Sequence, residues 1–191
     1  MSYDLYLIHL PPGSTPDQVE TLALAKAEAE LPDTDPDPES SARQQAIADA
    51  LRIADPKLEP FTFDYAEIAR LEHISEQDAR RRFRYIELTA SDRSGIQITV
   101  YDDWVSLTVP YWHRGENAGQ VWEQVWLHLR VLCREGAYTV YDPQLGRELD
   151  LAIDSIAVED MYAEGVNVTT RAASEFMEQQ PTRKPWWKFW D

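Results

Sequence analysis

One stretch of the chain, residues 96–109, constrains the fold more than any other. Aliphatic side chains alternate with polar or aromatic ones on both sides of Asp102 and Asp103. If these two aspartates form a two-residue loop, a hairpin results in which six aliphatic side chains share one face, namely Ile96, Ile98, Val100, Val105, Leu107 and Val109. A shift of one residue would scatter them over both faces, so the pattern predicts this register. A four-residue loop stays open, because Asp-Asp is a poorer turn pair than Asn-Gly.

Further elements are predicted on both sides of the hairpin. Apolar or alternating runs indicate strands at 3–10, 86–90 and 138–141, and the segment 148–156 is open between an edge strand and a loop. Caps and helical periodicity predict helices over 16–31, from Asp37 to Pro56, from Asp64, from Ser75 to about Phe83, from Asn117 to Gly136, and over 169–179. The crossover through residues 121–135 must be right-handed, so we expect it to pass over one strand, residues 3–10.

This order of elements predicts an α+β fold. We expect a mixed, mainly antiparallel sheet of about five strands, with helices packed mainly on one face. The chain has 191 residues, of which 43% are hydrophobic, and that is enough for one core. We therefore predict a single domain over residues 1–180, followed by a tail at 181–191.

The charge of the chain excludes one class of function. Lys and Arg number 18 against 34 Asp and Glu, which gives a formal net charge of −16. Non-specific binding to nucleic-acid backbones needs clustered cations, so we expect no nucleic-acid partner. No apolar run approaches the length of a transmembrane helix, and the first residues do not resemble a signal peptide. We therefore expect a cytoplasmic protein.

Motifs for catalysis and for metal binding are absent from the sequence. There is no Gly-x-Ser-x-Gly elbow, no His or Cys pattern with metal-ligand spacing, and no glycine-rich phosphate loop. The single cysteine, Cys133, lies on the apolar stripe of its predicted helix, which is typical of a buried small side chain. We therefore predict no enzymatic activity, no cofactor and no metal site.

The segment that follows the hairpin is the main candidate binding site. Tyr111, Trp112, His113 and Arg114 come at the exit of a strand. Exposed Trp, Tyr and Arg side chains are the residues that dominate protein–protein interfaces. The alternative is that Tyr111 and Trp112 cover the end of the core.

Three carboxylates are the best placed for a functional role. Asp102 and Asp103 lie at the predicted hairpin tip, and Asp142 follows a predicted strand. They are candidates for binding, and the alternative is that they occupy solvated turns.

The tail at 181–191 is cationic and aromatic, unlike the rest of the chain. It carries Arg183, Lys184 and Lys188 together with Trp186, Trp187, Phe189 and Trp190. Three placements are open: weak contact with an anionic membrane surface, docking in a groove of a partner, or folding back on its own acidic domain.

Several short segments resemble a group of small uncharacterised bacterial proteins, some of which look like the immunity partners of polymorphic toxins. The segments are 2–6, 85–89, 95–103, 109–113 and 141–144, so the resemblance covers roughly residues 1–150. They contain no catalytic signature, and the resemblance therefore implies a binding function without active-site residues.

Two functions follow from these observations. The first is a non-enzymatic acidic binding protein, most concretely an immunity-type inhibitor of a basic toxin or nuclease, because an acidic face steers encounter with a cationic active site. The alternative is a small regulatory or enzymatic domain with a small-ligand pocket near Trp112, His113 and Asp142. The sequence does not fix an oligomeric state.

Overall fold

The computed structural model describes residues 1–11, 13–28, 34–35 and 37–179, with side chains described up to residue 174. The fold is α+β, as the sequence predicts. The elements are β1 (Ser2–Ile8), α1 (Pro16–Glu28), α2 (Pro38–Ala54), β2 (Leu58–Pro60), α3 (Tyr65–Glu72), α4 (Glu76–Arg82), β3 (Ile86–Ala90), β4 (Gln97–Val100), β5 (Trp104–Pro110), α5 (Glu116–Gly136), β6 (Thr139–Asp142), β7 (Arg147–Glu148) and α6 (Ser155–Gln179). The predicted tail at 181–191 lies outside the described residues.

All seven described strands form one sheet in the order β2-β3-β4-β5-β1-β6-β7. Each neighbouring pair in this sheet is antiparallel, so the prediction of a mixed sheet is wrong. The two strands that α5 connects, β5 and β6, run parallel but are not neighbours, because β1 lies between them. The predicted number of about five strands is therefore too low. Strand β2 was not predicted, and β7 reaches only the first residue of the segment 148–156 that was open between an edge strand and a loop. Strand β2 has three residues and ends in Pro60, which cannot donate to a ladder, and β7 has only two residues.

The predicted hairpin is confirmed in its register. Ile98 pairs with Leu107 and Val100 pairs with Val105, so Asp102 and Asp103 form the tip. All six aliphatic side chains of the predicted face are fully buried. On the opposite face the rings of Tyr101 and Trp104 stack with their centroids 4.1 Å apart.

The predicted crossover is also confirmed. Strand β1 pairs with β5 on one side and with β6 on the other, so α5 carries the chain from β5 over β1 to β6. This places the first strand of the chain inside the sheet. It also places the loop between β5 and α5, which contains the candidate residues 111–114, at one end of the central strands.

Helices pack mainly on one face of the sheet, as predicted. The aliphatic face is covered by α2 and α5 and by the first half of α6, which together enclose the main core. Helix α1 lies on the other face, where its Val19 and Ala23 pack against Ile8, Trp104 and Tyr141. No helix among the described residues is long and apolar enough to cross a membrane.

Most of the predicted helix starts are confirmed, and two are wrong. The carboxylates of Asp37 and Asp64 and the hydroxyl of Ser75 each accept a hydrogen bond from a backbone N–H in the first turn of the following helix. Helix α5, however, begins at Glu116 after Gly115, and not after Asn117. Gly115 adopts a φ of 55°, a conformation that glycine reaches without strain.

The helix predicted over 169–179 is the C-terminal part of a much longer one, α6, which begins at Ser155. Its middle contains Gly165 and the β-branched Val166 and Val168, residues that weaken intrinsic helix propensity. Burial of Val158, Tyr162 and Val166 in the main core stabilises the helix despite this sequence.

Candidate functional site

Tyr111 is the first residue of the candidate segment, and it packs between β5 and α6. Its ring stacks on the ring of Tyr162, with the centroids 5.4 Å apart, and meets Tyr3 edge-on. A Cβ atom at Gly165 would collide with the Tyr111 ring, so the glycine in α6 makes room for this contact. Tyr111 therefore covers the end of the core, which is one of the two roles that the sequence left open.

Trp112 lies on the outside of the same loop and is 63% exposed. Its ring packs close to Pro110 and to Gly95 in the loop between β3 and β4, where any Cβ would clash with the indole. Gly95 has a φ of 68°, so the position suits glycine for its backbone as well. Trp112 is thus an exposed aromatic side chain with a fixed support, which is the arrangement found in interface anchors.

His113 and Arg114 bind this loop to two other parts of the molecule. The His113 Nε2 donates a hydrogen bond to the carbonyl oxygen of Ser94 at 2.5 Å, and its backbone N–H donates to the hydroxyl of Tyr162 at 3.3 Å. The Arg114 guanidinium donates to Oγ1 of Thr170 on α6. Sequence-predicted residues 111–114 are therefore held together at one end of the sheet.

Two clefts flank the first turns of α5, and His113 borders both of them. The larger has a volume of about 440 Å³ and lies between α5 and α6, with Trp122 and Tyr162 among its lining residues. The smaller has a volume of about 250 Å³ and lies between α5 and the loop between β3 and β4. Trp112 and Asp142 are not among the lining residues of either cleft.

Two carboxylates line the larger cleft, and two more occur nearby in the sequence of the helices that form it. Glu159 and Asp160 on α6 line it, and both are exposed. Glu116 lies in the first turn of α5, and Glu164 lies one turn after Asp160 on α6. None of these four carboxylates forms an ion pair with another residue in the described part of the chain.

Asp142 is fully buried and contributes to the site only through its contacts within the core. It accepts hydrogen bonds from the hydroxyl of Tyr3 and from the backbone N–H groups of Gln144 and Leu145. Burial raises the pKa of Asp142, and burial together with the bond to Asp142 raises the pKa of Tyr3. Tyr3 in turn packs edge-on against Trp122, so Asp142 supports the floor of the larger cleft without lining it.

Asp102 and Asp103 lie at the opposite end of β5 from residues 111–114. The Asp102 carboxylate pairs with Arg84 and accepts a hydrogen bond from Gln44 at 3.2 Å. Asp103 forms a more exposed ion pair with Lys26. The structure therefore separates these two candidates from the aromatic segment and places both in internal contacts.

Other titratable side chains occupy structural positions. No group of three or more His, Cys, Asp or Glu side chains that could hold a metal ion occurs among the described residues. Burial raises the pKa of the Cys133 thiol. His128 is buried and its Nε2 lies 3.0 Å from Oδ2 of Asp55. Burial lowers the pKa of His128, and Asp55 acts in the opposite direction.

Sequence reasoning missed the contribution of α6 to this site. Tyr162, Glu159 and Asp160 follow residues 111–114 by more than forty positions, and no local pattern links the two segments. The sequence held one indication of a site next to α5. Gly119 lies in the first turns of a strong helix, where glycine lowers helix stability, and such a glycine indicates a role other than helix formation.

Comparison of the chain with family models, with curated proteins and with solved structures gave no match. The resemblance to immunity proteins of polymorphic toxins therefore stays a prediction from the sequence.

Proposed function

We propose that this chain is a non-enzymatic binding protein that recognises a basic protein, in the manner of an immunity protein that inhibits a toxin or nuclease. The partner surface is the end of the sheet that carries Trp112, together with the carboxylates of α5 and α6 next to it. A protein partner is favoured over nucleic acid, because the net charge of −16 repels phosphate backbones.

One observation carries this proposal: an exposed, supported tryptophan lies at the same end of the molecule as carboxylates that no described residue neutralises. Trp112 is 63% exposed, and Glu159 and Asp160 stand on the rim of the neighbouring cleft. Aromatic anchors supply most of the binding free energy at interfaces, and unpaired surface charges raise the rate of encounter with an oppositely charged partner.

The test is to capture partners from the lysate of the source organism, identify them, and measure binding kinetics with the purified partner. We expect a cationic partner whose association rate falls steeply with added salt, because surface charges act over about 8 Å at physiological ionic strength. If the partner is a nuclease, the chain should also inhibit its activity. A neutral or acidic partner, or an association rate that ignores salt, would contradict the proposal.

Two matched variants locate the partner surface. Glu159→Gln and Asp103→Asn each remove one negative charge, at opposite ends of the central strands. We expect Glu159→Gln to slow association and Asp103→Asn to leave it nearly unchanged. Trp112→Ala should instead speed dissociation, at a cost of about 2 kcal/mol or more in binding free energy.

The alternative function, a small-ligand pocket near Trp112, His113 and Asp142, is supported for His113 alone. His113 borders both clefts, whereas Trp112 and Asp142 line neither. Inhibition of the captured partner without turnover of any substrate would favour the binding protein over a regulatory or enzymatic domain.

A cytoplasmic location forms part of the proposal. The chain has a single cysteine, so it needs no internal disulfide, as is usual for proteins of reducing compartments. The tail at 181–191 supplies a second candidate contact, with anionic membrane surfaces. Co-sedimentation with anionic and with neutral vesicles tests the membrane contact: we expect sedimentation with the anionic vesicles alone, and a protein that stays in the supernatant of both has no membrane contact of this kind.

A further inference from the structure

The larger cleft offers more room than packing of the fold requires. It lies between the first turns of α5 and the face of α6 that carries Glu159, Ala163 and Asn167. Gly119 lines it from α5, and outside its own stretch of helix no described atom lies within 4 Å of the place where a Cβ on Gly119 would stand. The wall of the cleft is therefore open at this position, and a larger side chain here would reduce its volume.

The two ends of the cleft carry opposite charges. Glu159 and Asp160 line one end. Arg114 lines the other, where its guanidinium donates to the hydroxyl of Thr170, further along α6. From residue 159 to residue 167, α6 rises by about 12 Å. An occupant that meets both ends must therefore be elongated, with a cationic group at one end and an anionic group at the other.

The floor of the cleft is formed by Trp122, which is 1% exposed. The rings of Tyr3 and Tyr162 meet its indole edge-on, each with the centroids 5.4 Å apart. These contacts fix the indole in place, so the middle of the cleft has a rigid aromatic floor against which an apolar group of an occupant can pack.

We propose that this cleft binds a short peptide with free ends, about three residues long. An extended chain of three residues spans about 10 Å, which is close to the rise of about 12 Å between residues 159 and 167 of α6. The peptide amine would meet Glu159 and Asp160, its carboxylate would meet Arg114, and its middle side chain would pack over Trp122. A single amino acid is too short to reach both ends. The inference does not depend on the proposed protein partner.

The test uses the tripeptide alanyl-phenylalanyl-alanine and the full-length chain. Binding is followed by calorimetry and by the indole N–H resonance of Trp122, which the Trp122→Phe variant assigns. We expect saturable binding and a shift of that resonance. The N-acetylated peptide and the C-amidated peptide should each bind about tenfold more weakly, because each lacks one charged hydrogen bond.

Variants assign each end of the cleft separately. Arg114→Gln should weaken binding of the free peptide and leave binding of the amidated peptide unchanged. The double variant Asp160→Asn and Glu159→Gln should weaken binding of the free peptide and leave binding of the acetylated peptide unchanged. Gly119→Leu should abolish binding by filling the cleft, whereas Gly119→Ala should only reduce it. Circular dichroism verifies that each variant is folded.

The proposal is overturned if no saturable binding occurs at millimolar peptide, or if the free, acetylated and amidated peptides bind equally. Self-association of the chain that Gly119→Leu prevents would also overturn it, since the occupant would then be a second copy. Trp112→Ala separates this proposal from the proposed function, because Trp112 does not line the cleft. That variant should keep peptide binding even where binding to the basic protein is lost.

Discussion

Strand β5 connects the two regions that the sequence predicted as candidate sites. The candidate side chains are paired within the molecule in one region, and an aromatic side chain is exposed in the other. At its first end, Asp102 and Asp103 are engaged by Arg84 and Lys26. At its other end, β5 is followed by Trp112, which is exposed and precedes His113, a residue that lines both clefts.

This difference shows that a cluster of charges is a poor guide to function when its partners are distant in sequence. The Arg84 side chain is only 7% exposed, so Asp102 is engaged within the fold by a largely buried cation. The carboxylates on the rim of the larger cleft form no ion pair with another of the described residues. Those carboxylates, rather than the ones at the hairpin tip, are available to a partner.

The largest expected effect concerns the hairpin that keeps the two ends apart. Ile98→Ala should lower the free energy of unfolding by about 2–5 kcal/mol, because it leaves a cavity in the fully buried face. The control is Thr108→Ala on the other, half-exposed face of the same hairpin, which should cost about 1 kcal/mol or less. Chemical denaturation measures both. Equal losses of unfolding free energy in the two variants would mean that the aliphatic face stabilises the hairpin no more than the half-exposed face does.

The next effect separates the two aspartates of the hairpin tip. Asp102→Asn should cost about 3 kcal/mol, since it removes the carboxylate that pairs with the largely buried guanidinium of Arg84; the 23% exposure of the Asp102 side chain keeps the loss moderate. Asp103→Asn should cost less than about 1 kcal/mol, because its side chain is 52% exposed and its ion pair with Lys26 is solvated. Thermal and denaturant unfolding of the two variants should rank them in this order. The reverse ranking would remove the structural role assigned to Asp102.

A smaller effect concerns pH, through buried His128. Burial holds the pKa of His128 below its usual range, so the unfolded chain binds a proton more readily than the folded one. The stabilisation is therefore complete above the unfolded pKa of about 6.5 and declines as the pH falls below it. The His128→Gln variant lacks this titration and should lose less stability than the wild type between about pH 7 and 5. Parallel pH profiles for the two proteins would show that His128 does not contribute.

The smallest expected effect on stability is at Trp112. Because its side chain is mostly exposed, Trp112→Ala should change the free energy of unfolding by less than about 1 kcal/mol. The same variant is expected to weaken binding strongly, and that combination distinguishes an interface anchor from a core residue. A large loss of stability without a loss of binding would assign Trp112 to the structure instead.

The sequence predicted those parts of the fold that depend on neighbours along the chain. The hairpin register was predictable because period-two alternation fixes which face each side chain takes. The caps at Asp37, Asp64 and Ser75 were predictable for a similar reason, since the donor lies three residues beyond the cap. Strands β2 and β7 were not, because runs of two or three residues show no periodicity.

The candidate site was predictable only in its aromatic half. Residues 111–114 were identified because Tyr, Trp, His and Arg occur together after a strand. Their supports were not, because Tyr162 and Ser94 are brought to them by tertiary packing. The same applies to Asp102, whose partner Arg84 belongs to the loop before β3 and could not be assigned from spacing alone.

The position of β1 in the middle of the sheet has a consequence for how the chain is made. Ser2 pairs with Pro110 and Tyr6 pairs with Tyr141, so β1 leaves the ribosome before both of its partner strands and cannot pair until β5 has been synthesised. Until then its apolar face, Tyr3, Leu5 and Leu7, has no sheet to join. We therefore expect the hairpin to form early and the sheet to close late, which leaves the nascent chain open to chaperones and to aggregation during translation.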